Sequence, residues 1–177
     1  MRYASIDKIE CRNGLGWGAT LYVQGCHFHC HNCFNPETWD FNGGKEFTQD
    51  TVDTILKLIE PEYITRFSVL GGEPLEECNW LDLADLLVNI KGEHPDIKIW
   101  LYTGFTYECL EHLMSSNVLG SDRNLLYIIL KNVDVLVDGQ FQEDKKDLTY
   151  PFAGSTNQRV IDMKRTNDRG KIVLFNE

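Results

Sequence analysis

Apolar residues recur along this chain with two periods, and the two alternate. From Asp50 to Glu60, Val52, Ile55, Leu56 and Ile59 fall at the i, i+3, i+4, i+7 spacing of one helical face. Leu83, Leu86, Leu87 and Ile90 repeat that stripe, and Asn79 before them is a candidate N-cap. A third helix is predicted from its cap Thr106 through Leu110, Leu113 and Met114, and a shorter one from Asn124 to Lys131. Between the helices lie short runs of strand character: Thr20 to Val23, Arg66 to Leu70, the alternating Ile97, Ile99 and Leu101, and Val133 to Val137. A polar segment from Gln140 to Gln158 shows little periodicity, and a final strand is predicted from Lys171 to Phe175.

Strands alternating with helices imply βαβ units, hence an α/β fold with a mainly parallel sheet. The chain reads as one domain over residues 1–177, with a polar C-terminal extension from about residue 140. Right-handed crossovers place the helices on the sheet faces and bring the strand ends to one edge. Ligands in such sheets bind beyond the C-terminal ends of the strands. Four segments directly follow predicted strands: a cysteine-rich loop over residues 25–35, Gly71-Gly72-Glu73-Pro74, Tyr102-Thr103-Gly104 and Val137-Asp138-Gly139. All four are therefore expected to meet at that edge.

Composition narrows the classes. The 177 residues suffice for one α/β domain with a real core. A formal net charge of -10 argues against a nucleic-acid partner, which needs clustered Lys and Arg. The start, MRYASIDKIE, lacks the basic and apolar stretches of a secretory signal, and no segment approaches the roughly 18 apolar residues of a membrane span. Six cysteines without such a signal point to a reducing cytoplasm, where they serve as ligands or buried thiols. Cys11, Cys78 and Cys109 stand alone and read as core or incidental thiols.

Cys26, Cys30 and Cys33 are different, because the spacing C-x3-C-x2-C gathers three thiols in eight residues. Three thiolates hold three corners of a cubane iron–sulfur cluster, and a missing fourth ligand leaves one iron open to a substrate. Zinc stays an alternative for this loop alone, since His27, His29 and His31 are interleaved with the cysteines. Gly71-Gly72-Glu73-Pro74 adds a turn whose glycines allow close backbone approach and whose carboxylate suits a cationic amine.

With the cysteine triplet after one strand and GGEP after the next, the chain resembles the radical S-adenosylmethionine superfamily. The resemblance implies an incomplete β/α barrel and one [4Fe-4S] cluster with three cysteine ligands, Cys26, Cys30 and Cys33. It implies S-adenosylmethionine as second cofactor, its methionine part lined by Gly71, Gly72 and Glu73. Asn32 stands where that superfamily carries an aromatic residue next to the adenine, and Phe34 follows; both are candidates for the adenine side. Thr103 and Asp138 occupy strand ends that surround the cofactor in related glycyl-radical activating enzymes.

A narrower likeness lies in Cys33-Phe34-Asn35-Pro36-Glu37-Thr38-Trp39, Tyr102-Thr103-Gly104-Phe105, Val137-Asp138-Gly139-Gln140-Phe141 and Gly154-Ser155-Thr156-Asn157-Gln158-Arg159. These strings, in this order, are similar to the family that activates anaerobic ribonucleoside-triphosphate reductase. That likeness implies an oxidoreductase forming a glycyl radical in the reductase, with a flavodoxin or ferredoxin as electron donor. Small-molecule radical chemistry of the carboxy-deazaguanine synthase kind is the alternative enzyme. A zinc or iron–sulfur module without catalysis is the alternative outside enzymes.

Overall fold

The computed structural model describes residues 1–116 and 123–175. Seven strands form one sheet: β1 (Arg2–Glu10), β2 (Gly18–Val23), β3 (Lys45–Glu46), β4 (Arg66–Gly71), β5 (Lys98–Tyr102), β6 (Val135–Asp138) and β7 (Arg159–Asp162). Their spatial order is β3-β1-β2-β4-β5-β6-β7. The central four, β2, β4, β5 and β6, are parallel. β1 and β7 run antiparallel to this centre and β3 pairs antiparallel with β1, so the sheet is mixed around the expected parallel centre. The crossovers carry α1 (Gln49–Ile59), α2 (Trp80–Glu93), and the pair α3 (Tyr107–Ser115) and α4 (Arg123–Asn132); α5 (Met163–Arg169) follows β7.

The helices cover one sheet face. Leu21, Val23, Phe67, Val69, Ile99, Leu101 and Leu136 point from the strands into the same core as Ile55, Leu83, Leu86, Leu87, Ile90, Leu126 and Ile129. Each such side chain, fully sealed from water, contributes about 1.5–3 kcal/mol. The predicted stripes on α1 and α2 face this core, Leu56 being only partly buried. Thr106 caps α3 as expected, its hydroxyl accepting from Cys109 N at 3.3 Å. Asn79 does not cap α2 with its side chain: a short 3-10 turn over Glu77–Asn79 precedes that helix, and Asn79 Nδ2 donates to the Glu73 carbonyl at 3.1 Å.

The opposite face has another character. Successive residues of a strand alternate sides, so Thr20, Tyr22, Arg66, Ser68, Trp100 and Tyr102 lie away from the helices. Arg66 is buried there and pairs with the buried Glu10 at 2.7 Å. Asn13 and Glu10 offer carbonyls to its guanidinium at 2.9 and 3.0 Å. Burial alone would raise the Glu10 carboxyl, but hydrogen bonds from Thr20, Arg66 and Arg12 outweigh it and hold the group below its ordinary value. This network fastens the segment between β1 and β2 across the inner face.

The chain's ends depart from the predicted pattern. β1 and β7 carry no clean apolar alternation; β1 is half-exposed along most of its length. The predicted strand Lys171 to Phe175 is irregular instead, with a single bridge from Leu174 to Ile161. The short helix α5 intervenes, capped by Asp162 Oδ1, which accepts from Arg165 N at 2.8 Å, and closed by Gly170 at φ 62. No helix among the described residues is long and apolar enough to cross a membrane.

Candidate active site

The loops that follow β2, β4, β5 and β6 meet around one cavity of about 680 Å³. That volume lies in the range of small-molecule and cofactor sites. Cys26, Cys30 and Cys33 line it, with Gly71, Gly72 and Glu73 from the second loop, Thr103 and Gly104 from the third, and Gly139 from the fourth. The expected convergence at the C-terminal strand edge is thus what the topology produces. Asn32 and Asp138 are not in the lining.

The cysteine loop alternates. Cys26, Phe28, Cys30, Cys33 and Phe34 face the cavity, whereas His27, His29, His31 and Asn32 are exposed outside it. His27 Nδ1 lies 3.0 Å from both carboxylate oxygens of Glu76, and its ring packs on Phe41. His29 stacks on Trp39 with ring centroids 4.5 Å apart. The histidines are therefore turned away from the thiols. Among the described residues, no three His, Cys, Asp or Glu side chains converge as a site for a single metal ion.

Backbone bonds fix this arrangement: Gly25 N donates to Thr38 O at 2.8 Å and Cys26 N to Trp39 O at 3.2 Å. His29 and Asn32 adopt positive φ, 45 and 54. An L residue tolerates that conformation best when it is Asn, Asp or His, which accounts for a small polar residue at position 32 in place of an aromatic one. Asn35 N points at Cys33 Sγ at 3.4 Å, the kind of N–H···S contact that tunes thiolate ligands. Burial pushes the Cys26 thiol up to about 11 and raises Cys30 too, with Cys33 beside it adding to the effect. Thiols in such surroundings stay protonated when free and release their protons to solvent when a metal cation binds the sulfur in their place.

Both glycines of GGEP are required by close approach. A Cβ on Gly72 would meet Gly25 O at 2.3 Å, and one on Gly71, at φ 107, would meet Val23 N at 2.8 Å. Gly72 N donates to Val23 O and Glu73 N to Gly25 O, lacing this loop to the root of the cysteine loop. Glu73 itself is 1% exposed. Its Oε1 accepts from Thr103 Oγ and Leu75 N, both at 2.8 Å, and its Oε2 accepts from Gly104 N at 2.7 Å. A carboxylate has about four acceptor sites, so one remains, on Oε2. Burial raises this carboxyl to about 7 despite those three donors.

Thr103 enters the site through Glu73, while Asp138 has a different task. The Asp138 carboxylate accepts from Tyr107 N at 2.7 Å, at the start of α3, and pairs with the Arg159 guanidinium. Arg159 also grips Glu108 through two bonds of 2.8 and 2.7 Å, holding that carboxyl down at about 2. Asp138 is thus consumed inside the fold.

The string Gly154 to Gln158 is an anchor. Gln158 Oε1 accepts from Gly154 N and Ser155 N at 2.9 and 3.2 Å, and its Nε2 donates to Gly139 O at 2.9 Å. A Cβ on Gly154 would lie 2.7 Å from the Phe34 ring, so the glycine lets that ring rest where it does. Sequence reasoning placed Tyr102 at this edge within its turn but not among the site residues; its hydroxyl is buried without a partner among the described residues. Its place one residue before Thr103 on the same strand end was the available signal. Phe141 and Leu148 were missed as lining because the segment carrying them has no periodicity.

Comparison with known proteins gives a consistent answer. Residues 12–161 match the model of a 4Fe-4S single cluster domain. The anaerobic ribonucleoside-triphosphate reductase-activating protein of Vibrio cholerae is 33% identical over 162 residues, covering 90% of this chain and 97% of that protein. Its Salmonella typhi counterpart is 34% identical with the same coverage. The Enterobacteria phage T4 protein of that name is 31% identical over 160 residues, covering 90% and 93%.

Proposed function

The chain belongs to the family of anaerobic ribonucleoside-triphosphate reductase-activating proteins, and we propose that it forms a glycyl radical in that reductase by reductive cleavage of S-adenosylmethionine. One observation carries the reading: three cysteine thiols and a carboxylate with one free acceptor site face a single cavity at the C-terminal ends of four parallel strands. The donor set suits a cubane. Cys26, Cys30 and Cys33 would each hold one iron, and Cys11, Cys78 and Cys109 are exposed and outside the lining, so a fourth iron keeps an open position. When bound, the cluster supplies the electron that breaks the sulfonium, giving methionine and a 5′-deoxyadenosyl radical that takes a hydrogen atom from a glycine of the reductase.

The chain's own residues bind and orient. Gly71 and Gly72 keep the wall flat enough for close approach, and the free Oε2 position of Glu73 accepts from the amino group of the methionine part. Thr103 holds Glu73 in place, and Phe34 offers a ring to the adenine side. Asn32 and Asp138 are left out of the cofactor site, one turned to solvent and the other paired with Arg159. The outward histidines disfavour a zinc site of three cysteines and one histidine. The sheet reads as an incomplete barrel within one domain, its inner face holding the cofactors. An electron donor of the flavodoxin or ferredoxin kind and a cytoplasmic setting complete the proposal.

The test is electron paramagnetic resonance on the reductase after anaerobic incubation with the reduced, cluster-loaded chain and S-adenosylmethionine. A glycyl-radical signal that requires all three components is expected. Deoxyadenosine formation without that signal would leave a small-molecule substrate as the better reading.

A further inference from the structure

The segment from Gln142 to Gly154 forms a flap beside the cavity. Its base is an antiparallel bridge from Lys146 to Ser155, reinforced by Asp147 N to Gly154 O at 3.2 Å and Thr156 N to Lys145 O at 2.9 Å. Its turn is fixed by Asp147, whose Oδ1 accepts from the N and Oγ of Thr149 at 2.9 and 2.6 Å. Past the base, Leu148, Tyr150 and Phe152 occupy alternate positions, and all three line the cavity. Phe152 sits at φ 60, rare for a bulky residue, with its ring edge-on to Trp100 at 4.9 Å.

Phe152 is thereby committed to the inner face, but Leu148 is not. It is 75% exposed, the largest exposure among the large apolar residues of the described structure, although it borders the cavity. Phe34, also in the lining, is 52% exposed; it rests on Phe141 and on the space left by Gly154. A leucine so exposed adds little to this chain's own core. Apolar side chains at the rim of a reaction cavity gain by covering a partner's apolar surface.

We propose that the flap, through Leu148, with the outer edge of Phe34, is the docking lip for the reductase segment that carries the target glycine. The inference rests on the reading that a protein is the substrate, and it commits to one occupant, an extended segment with an apolar side chain flanking the glycine. Continuity supports that occupant: a macromolecular substrate whose backbone reaches the cavity must cross its rim, and the lip is part of the same lining. The anchor made by Gln158 and Ser155 then has a purpose, since it holds the flap in register with the cavity while the segment enters.

The test compares the cluster-loaded wild-type chain with Leu148→Asp and Leu148→Met, measuring affinity for the intact reductase by calorimetry and the reductase concentration that gives half-maximal glycyl radical. Leu148→Asp is expected to weaken both about tenfold, roughly the effect of one apolar anchor of about 1.4 kcal/mol, and Leu148→Met to restore them. Wild-type affinity in Leu148→Asp overturns the lip. So does an equal loss of S-adenosylmethionine affinity, which would assign Leu148 to the cofactor, or loss of a wild-type self-association, which would assign it to a second copy. Absence of any radical with the wild-type chain would instead overturn the glycyl-radical reading itself.

Discussion

The two faces of the sheet are made by the same strands and do opposite things. On the helix side, Leu21, Val23, Phe67, Val69 and Ile99 are sealed in the core. On the inner side, one residue along, Tyr22, Arg66, Ser68 and Tyr102 make a polar surface with a buried ion pair, a hydroxyl without a partner among the described residues and an open cavity. The larger core lies on one face; the cavity, beside the smaller cluster of Trp100, Val135, Val137 and Val160, lies on the other. Alternation along a strand lets a single short segment serve both.

Substitutions on each face sharpen that contrast. The largest expected effect is on the inner side: Cys30→Ala abolishes the cluster's iron content and deoxyadenosine formation, while the circular dichroism spectrum and thermal midpoint stay close to wild type. Retained cleavage in this variant would refute the ligand assignment. On the core side, Phe67→Ala is expected to cost about 3–5 kcal/mol in urea unfolding, the usual range for emptying a sealed aromatic position. A cost under about 1 kcal/mol would show that this face does not hold the fold.

Glu73→Gln probes the cavity more gently. The amide keeps one acceptor but places a donor against Gly104 N or Thr103 Oγ, and it loses the charge that attracts an amine. S-adenosylmethionine affinity is expected to fall about 10- to 100-fold, the scale of one charge-assisted hydrogen bond. The wild-type carboxyl, raised to about 7 by burial, is neutral below that pH and charged above it. Binding of a cationic amine should therefore strengthen from about pH 6 to about pH 8 with release of up to one proton, and Glu73→Gln should flatten the profile. The smallest effect belongs to a cap remote from both faces: Thr106→Ala is expected to cost about 1 kcal/mol of stability, and equilibrium unfolding measures it.

The same contrast explains what was legible in the sequence. The helices α1 and α2 show in the spacing of Val52, Ile55 and Ile59 and of Leu83 to Ile90, because a buried stripe repeats at the helical period. The site was legible in the cysteine triplet and in GGEP, because each follows a strand. β1 and β7 were not, since a strand half-exposed along most of its length need not alternate and four residues are few to show a period. Asp138 looked like a cofactor residue by position alone; its partner Arg159 is 21 residues away, and only folding brings the two together. Asn32 shows another case, a residue whose positive φ no sequence period announces. The flap was hidden because its order comes from Gln158 and Ser155 bonding to distant backbone, which leaves no periodic trace.

The central claim is that three thiols and Glu73 form one cofactor site, and its most direct measurement is S-adenosylmethionine turnover by the anaerobically reconstituted, reduced chain. The account predicts a [4Fe-4S] cluster and deoxyadenosine in step with methionine, both lost in Cys30→Ala. Zinc in place of iron and sulfide, or a complete cluster that leaves S-adenosylmethionine intact, would contradict it.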